Sequence, residues 1–281
     1  MKLSYSTWGM QMTPIDVAVR HCAELGFDGL ELTVIPGWPT DAAKLDRAER
    51  QRIRALYDDA GLDLCGMSGN VALLLDGPTG ADANEARFHT YLDLAAELQR
   101  PDERLIVTTT TGGPPADWEA RKGEVVERVG RLAEYAESAG VMVGIEPHVG
   151  AALHRPQDVL WLVEQVSSPA LTIHFDISHF NVQGIPMEES IALLAPVSLH
   201  THIKDERGIA PDHEFLIPGE GEMDYARYLT LMRDAGYDGH IVVEISLMVQ
   251  ARSDYDALVA ATQTYAVLSR AFDTAGIDRR G

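Results

Sequence analysis

Cysteine, basic charge and long apolar runs are all scarce in this chain, and each shortage closes off a class of protein. Cys22 and Cys65 are the only cysteines; they offer no disulfide framework, so the expected compartment is the reducing cytoplasm. The 23 Lys and Arg face 43 Asp and Glu, a formal net charge of −20. A nucleic-acid groove needs clustered Lys and Arg, so no nucleic-acid partner is expected. No apolar run approaches the roughly 20 residues of a membrane span. The N-terminus enters a strand pattern at once, without the charged start and apolar core of a signal peptide. No membrane partner is expected either. What is present is 281 residues, 46% hydrophobic and 23% charged, the composition of a soluble globular protein at a length that suits one large core. One domain over 1–281 is expected.

Eight apolar, β-branched-rich runs of strand length stand at Leu3–Trp8, Phe27–Thr33, Leu62–Ser68, Arg104–Thr110, Val141–Glu146, Leu171–Asp176, Val197–Lys204 and Gly239–Ile245. Helical patterns fill the gaps at Pro14–Leu25, Leu45–Ala60, Asn84–Leu98, Trp118–Ala139, Pro156–Val166, Met187–Leu194, Tyr225–Ala235 and Tyr255–Ala275. Gly26, Gly61, Gly140 and Gly236 follow helix ends, where glycine most easily takes the left-handed conformation. Alternating strands and helices with short turns predict an α/β fold, a parallel sheet closed as a (β/α)8 barrel. An open doubly wound sheet is the runner-up. It would not bring four consecutive strand ends around one ion.

Four of these runs end on a side chain that binds hard divalent metals: Glu146, Asp176, His202 and Glu244. They are 30, 26 and 42 residues apart, spacings that suit successive βα units, and a barrel gathers all its strand ends on one face. Three carboxylates and one imidazole suit Mn²⁺ first, with Mg²⁺, Co²⁺ or Zn²⁺ as alternatives. A single carboxylate at a strand end is more often a cap or an ion-pair partner; four at consecutive strand ends point to a metal.

Other groups flank this set. His179, three residues past Asp176, can hold a substrate oxygen or brace its loop. Residues 200, 202 and 204 share one side of their strand by period-two alternation, which makes His200 either a donor behind the ligands or a satisfied core histidine. Lys204 can neutralise a buried carboxylate or bind the substrate, Arg207 can reach a substrate oxygen, and Trp8 can supply a pocket wall. His148 points into the same mouth as a further acid or base, Glu31 can bridge from behind, and His154 reads as a surface residue. The long connections after strands, among them Gly69–Ala83 and Asp205–Glu222, should wall the pocket. Val71, Leu73, Leu74 and Leu75 form an apolar patch there, explained by rim or subunit packing or by an apolar part of the substrate. Gly219-Glu220-Gly221 reads as a turn.

At Gly26-Phe27-Asp28-Gly29-Leu30-Glu31-Leu32, Ile145-Glu146-Pro147-His148, Phe175-Asp176-Ile177-Ser178-His179, His202-Ile203-Lys204-Asp205 and the run from Gly236 to Glu244, the chain resembles the sugar phosphate isomerase/epimerase superfamily, the xylose isomerase-like TIM barrels. The resemblance spans nearly the whole chain. It implies that Glu146 and Glu244 lie on opposite faces of the substrate and exchange the proton beside a carbonyl, while His179 and an arginine near position 207 hold substrate oxygens. A second glutamate expected six residues after Glu146 is replaced by Ala152, and His148 stands nearby instead. The expected activity is a metal-dependent carbohydrate isomerase or epimerase acting through an enediolate. The alternative is a lyase of the same superfamily, a dehydratase or a C-glycoside deglycosidase acting on a 3-keto-glycoside. The expected partner is a small sugar, polyol or keto-glycoside, bound by an oligomer that the resemblance allows to include a second type of subunit.

Overall fold

The computed structural model describes residues 1–76 and 80–279. Strands and helices alternate as β1 (Lys2–Ser6), α1 (Ile15–Leu25), β2 (Gly29–Thr33), α2 (Arg47–Ala60), β3 (Asp63–Ala72), α3 (Ala81–Leu98), β4 (Ile106–Thr110), α4 (Trp118–Ala139), β5 (Met142–Glu146), α5 (Pro156–Val166) and β6 (Leu171–Asp176). They continue through the short α6 (Ser178–Asn181), α7 (Met187–Leu194), β7 (Ser198–Ile203), a hairpin of β8 (Asp205–Arg207) and β9 (Glu214–Leu216), α8 (Tyr225–Asp234), β10 (His240–Val243), α9 (Leu247–Gln250) and α10 (Ala257–Thr274). Eight strands close a parallel barrel in the order β1-β10-β7-β6-β5-β4-β3-β2, as the strand–helix alternation predicts. Among the described residues, no helix is long and apolar enough to cross a membrane.

Helix boundaries follow local chemistry. The Asp46 carboxylate accepts the Glu49 amide at the start of α2, and Asp256 accepts two amides at the start of α10. Gly26 closes α1 at φ 95°, a conformation that costs a side-chain-bearing residue far more.

Alternation along the strands divides the molecule into two environments. Leu3 and Tyr5, Leu30 and Leu32, Val143 and Ile145, Ile173 and Phe175, and Ile241 and Val243 are buried in the apolar core, on the parity that meets the helices; the Tyr5 and Phe27 rings, for example, are 5.5 Å apart. The opposite parity faces the barrel axis. It carries Ser4, Ser6, Glu31, His174, Asp176, His200, His202 and Lys204, all buried. Register brings the strand ends level: Asp176 pairs with His202, His202 with Val242, and Thr110 with Glu146.

Two loop expectations change. The connection from Gly69 is strand as far as Ala72, with the β3–β4 register shifting between Ser68 and Ala72. The Thr109 hydroxyl bridges this bulge, donating to the Val71 carbonyl at 2.8 Å and accepting its amide at 3.0 Å. The bulge turns Val71, Leu73 and Leu74 into the core and leaves Leu75 exposed, so rim packing explains the patch and a substrate wall does not. The β8–β9 hairpin is the second difference; strands of three residues are too short for periodicity to reveal.

Leu73→Ala is expected to destabilise the protein by about 2–5 kcal/mol through the cavity it leaves, and Leu75→Ala by no more than about 0.5 kcal/mol. Urea denaturation of both variants checks this; equal effects would return the patch to the surface.

Candidate metal centre and active site

Glu146 ends β5, Asp176 ends β6, His202 lies on β7 and Glu244 follows β10. All four are buried at the C-terminal mouth of the barrel. One ligand atom each from Glu146, His202 and Glu244 lie within 4.8 Å of one another, and so do one each from Glu146, Asp176 and His179. Glu146 is the shared member of two overlapping triples. Lys204 stands between them: its ammonium pairs with Asp176 Oδ2 and lies 3.3 Å from Glu244 Oε1. Lys204 is thus placed to neutralise buried carboxylates.

The electrostatics follow from burial and crowding. Burial raises the Glu146 carboxyl; Lys204 opposes this and Glu244 adds to it, with the result pushed up to about 7. Burial acts on Glu244 in the same direction, but Lys204 and the His202 hydrogen bond hold it below the usual carboxylate range. Asp176 is likewise held low against its burial, chiefly by Lys204. Burial works against charge on His202, yet Glu31 and Glu244 on its two sides push it up to about 10. Its Nδ1 is 2.7 Å from Glu244 Oε2 and its Nε2 is 2.7 Å from Glu31 Oε2.

These observations test whether the residues suit a divalent ion. Three buried carboxylates share one ammonium, and Glu146 resists ionisation for want of further positive charge. Both ring nitrogens of His179 are buried without a hydrogen-bond partner, and Nε2 lies only 3.4 Å from Glu146 Oε1. An oxygen-rich donor set with imidazole, short of positive charge, fits a divalent cation.

The surrounding groups divide. His148 packs against His179 with ring centroids 3.8 Å apart and planes tilted by 44°, and its Nδ1 is 2.5 Å from the Val149 carbonyl. Burial, reinforced by His179, lowers it to about 4, so it is neutral at pH 7. Arg207 is not brought to the cluster. The chain leaves the barrel after Ile203 into the hairpin, where Arg207 is exposed and donates to the Glu220 carbonyl. Trp8 is half-buried just beyond β1, stacked on Trp38 at 4.8 Å. His154 is half-buried and bonded to the Ala152 carbonyl. Gly219-Glu220-Gly221 is a turn whose two glycine amides donate to Asp205.

Sequence reasoning missed the roof. Phe215 on β9 meets the His179 ring edge-on at 5.2 Å and lies 5.6 Å from the Lys204 ammonium. Asp205 holds this roof, accepting amides from Glu206, Gly219, Gly221 and Met223 at 2.7–3.1 Å. The signal available was an Asp directly after the ligand-bearing strand with a Gly-x-Gly turn downstream, but nothing local says which amides it collects.

Comparison with known proteins gives the same architecture. A family model described as a xylose isomerase-like TIM barrel matches residues 19–263. Fructoselysine 3-epimerase of Escherichia coli O157:H7 is 28% identical over 260 residues, 88% of this chain and 91% of that protein. Inosose dehydratase of Yersinia enterocolitica is 26% identical over 174 residues, 54% of this chain and 55% of that one. A crystal structure of D-psicose 3-epimerase in the presence of D-fructose superposes with a TM-score of 0.77 at 17% identity, across 98% of this chain and 100% of that one; at that identity the likeness is one of fold.

Mn²⁺ binding at pH 7 is expected to release about one and a half protons: nearly one from His202, which holds its proton up to about 10, and about half of one from Glu146, near 7. Affinity should therefore weaken as the pH falls, because both groups must lose protons to serve as ligands. Isothermal titration in buffers of different ionisation enthalpy counts the protons; release of none would place the ion elsewhere.

Proposed function

As the chain belongs to the xylose isomerase-like TIM barrel family, we propose that it is a divalent-metal-dependent carbohydrate isomerase or epimerase that moves a proton next to a carbonyl. The observation that carries this reading is the split between two neighbouring buried glutamates. With its carboxyl raised to about 7, Glu146 exchanges a proton readily near neutral pH, whereas Glu244 is lowered and stays ionised. Carboxyls whose environments push their acidities apart are suited to serve as acid and base. Glu244 takes the proton from the carbon beside the carbonyl, and Glu146 returns one to the enediolate from the other face. His179 holds a substrate oxygen, and the Phe215 roof keeps water away while the enediolate exists. Glu146, Asp176, His202 and Glu244 would hold the ion, Mn²⁺ in first place, and it would supply positive charge to a developing negative oxygen. The sugar 3-epimerase named above, similar over most of both chains, supports a ketose or a ketose-derived sugar as substrate.

His148 favours a second reading. A β-eliminating lyase must also deliver a proton to the leaving group, and a neutral imidazole packed against His179 is suited to that task, giving up one N–H while its other nitrogen takes a proton from solvent. The likeness to inosose dehydratase points the same way over half of the chain.

Glu244→Gln, assayed at saturating Mn²⁺, is expected to reduce turnover by about 10²–10⁴-fold, the usual scale of a lost general base, with folding retained; an active variant would remove Glu244 from this role. His148→Asn separates the two outcomes. Unchanged turnover of a free ketose supports the epimerase. Loss of product with exchange of the α-proton into D₂O preserved supports the lyase.

A further inference from the structure

Below the candidate metal centre, the barrel axis carries Glu31, His200 and Ser6, a second polar layer to which the proton transfers assign no part. Glu31 lies on β2 and His200 and His202 on β7, strands separated by β1 and β10 in the barrel. Their contacts therefore cross the interior. The Glu31 carboxylate is fully buried. Its Oε2 is 2.7 Å from Nε2 of both His200 and His202, and its Oε1 accepts the Ser6 hydroxyl at 2.8 Å.

A carboxylate oxygen without a proton only accepts, so both imidazoles must present Nε2–H to it. That settles which nitrogen of His202 is engaged from behind. Nδ1 is left on the mouth side, 2.7 Å from Glu244 Oε2. The ring is also confined sideways: His174 packs against it edge-on, with centroids 4.1 Å apart and planes at 87°. Space for His200 is built into β3, since a Cβ at Gly66 would come within 2.7 Å of His200 Cε1.

We propose that Glu31 is the positioning residue for His202, fixing its ring with Nε2–H directed at Glu31 and Nδ1 presented to the metal beside Glu244, while His200 and Ser6 hold Glu31 in place. The inference rests on His202 being a ligand of that ion. The three imidazoles His174, His200 and His202 also lie within 4.8 Å of one another. They do not form a second metal site here, because two of them already give their inner N–H to Glu31. Carboxylates placed behind ligating histidines in this way set ring orientation and tautomer, and losing one typically weakens metal binding by about 10–100-fold.

The test uses the whole chain and two probes. In ¹⁵N-histidine-labelled wild-type protein loaded with Zn²⁺, long-range proton–nitrogen spectra should show His202 protonated at Nε2 and metal-bound at Nδ1; the reverse pattern overturns the proposal. Mn²⁺ titration of Glu31→Gln should show a Kd raised by about 10–100-fold, with circular dichroism unchanged. His200→Gln keeps an N–H donor for Glu31 and should stay within about threefold of wild type, by the same logic of a retained donor. Wild-type affinity in Glu31→Gln, or two Zn²⁺ per wild-type chain with His174 and His200 as ligands, overturns the proposal while leaving the proposed activity intact. A wild-type chain that binds neither ion overturns both.

Discussion

Negative charge buried at the mouth of the barrel is the constraint around which the rest is arranged. Taking a carboxylate out of water costs several kcal/mol unless positive charge or hydrogen bonds replace the lost hydration. Here Glu146, Asp176 and Glu244 are buried together, and the compensation is uneven. Lys204 pairs with Asp176 and lies close to Glu244, and His202 serves Glu244, whereas for Glu146 burial outweighs the more distant attraction of Lys204. The result is one carboxyl raised to about 7 beside two held below the usual carboxylate range. Both the fit to a divalent ion and the acid–base reading grow from that inequality.

A polar barrel axis is the second consequence. The interior of a (β/α)8 barrel is commonly filled by Val, Ile and Leu, yet here Ser6, Glu31, His174 and His200 stand beneath the ligands. Burying such groups is tolerable when they satisfy one another, and Glu31 does so with three donors. His174 is the exception: neither of its ring nitrogens has a hydrogen-bond partner, and burial, with His202 next, lowers it well below the usual imidazole range. It serves as a neutral wall against which the His202 ring is packed.

The mouth is closed by chain that leaves the barrel and returns. One buried carboxylate, Asp205, gathers four backbone amides from a segment spanning Glu206 to Met223, doing the work that a longer pair of strands would do. Gly221 is required there, since a Cβ would come within 2.6 Å of the Glu206 carbonyl oxygen. The hairpin so held sets Phe215 over His179 and Lys204, which keeps the charge cluster dry and its interactions strong.

What could be read in advance was whatever is periodic or terminal. The eight strands, the helices of α4, α5 and α7 and the barrel closure follow from apolar spacing and from glycines at helix ends, because those signals are written in neighbouring residues. That Glu146, Asp176, His202 and Glu244 lie at one mouth follows as well, since a closed parallel barrel leaves strand ends no other place to go; within that mouth they fall into two triples that share Glu146. Orientation within that mouth was not legible. Lys204 and Arg207 are both cations near the end of one strand, and only the departure of the chain into the hairpin sends one into the carboxylates and the other to solvent. The bulge that buries Val71, Leu73 and Leu74 depends on a threonine hydroxyl from the neighbouring strand. Glu31 meets His200 and His202 across some 170 residues of sequence. Local sequence determined the elements and which side chains each carries to its end; the folded chain alone decided which of those side chains share a proton, a charge or a neighbour, because such pairings depend on distances across the barrel that no local pattern encodes.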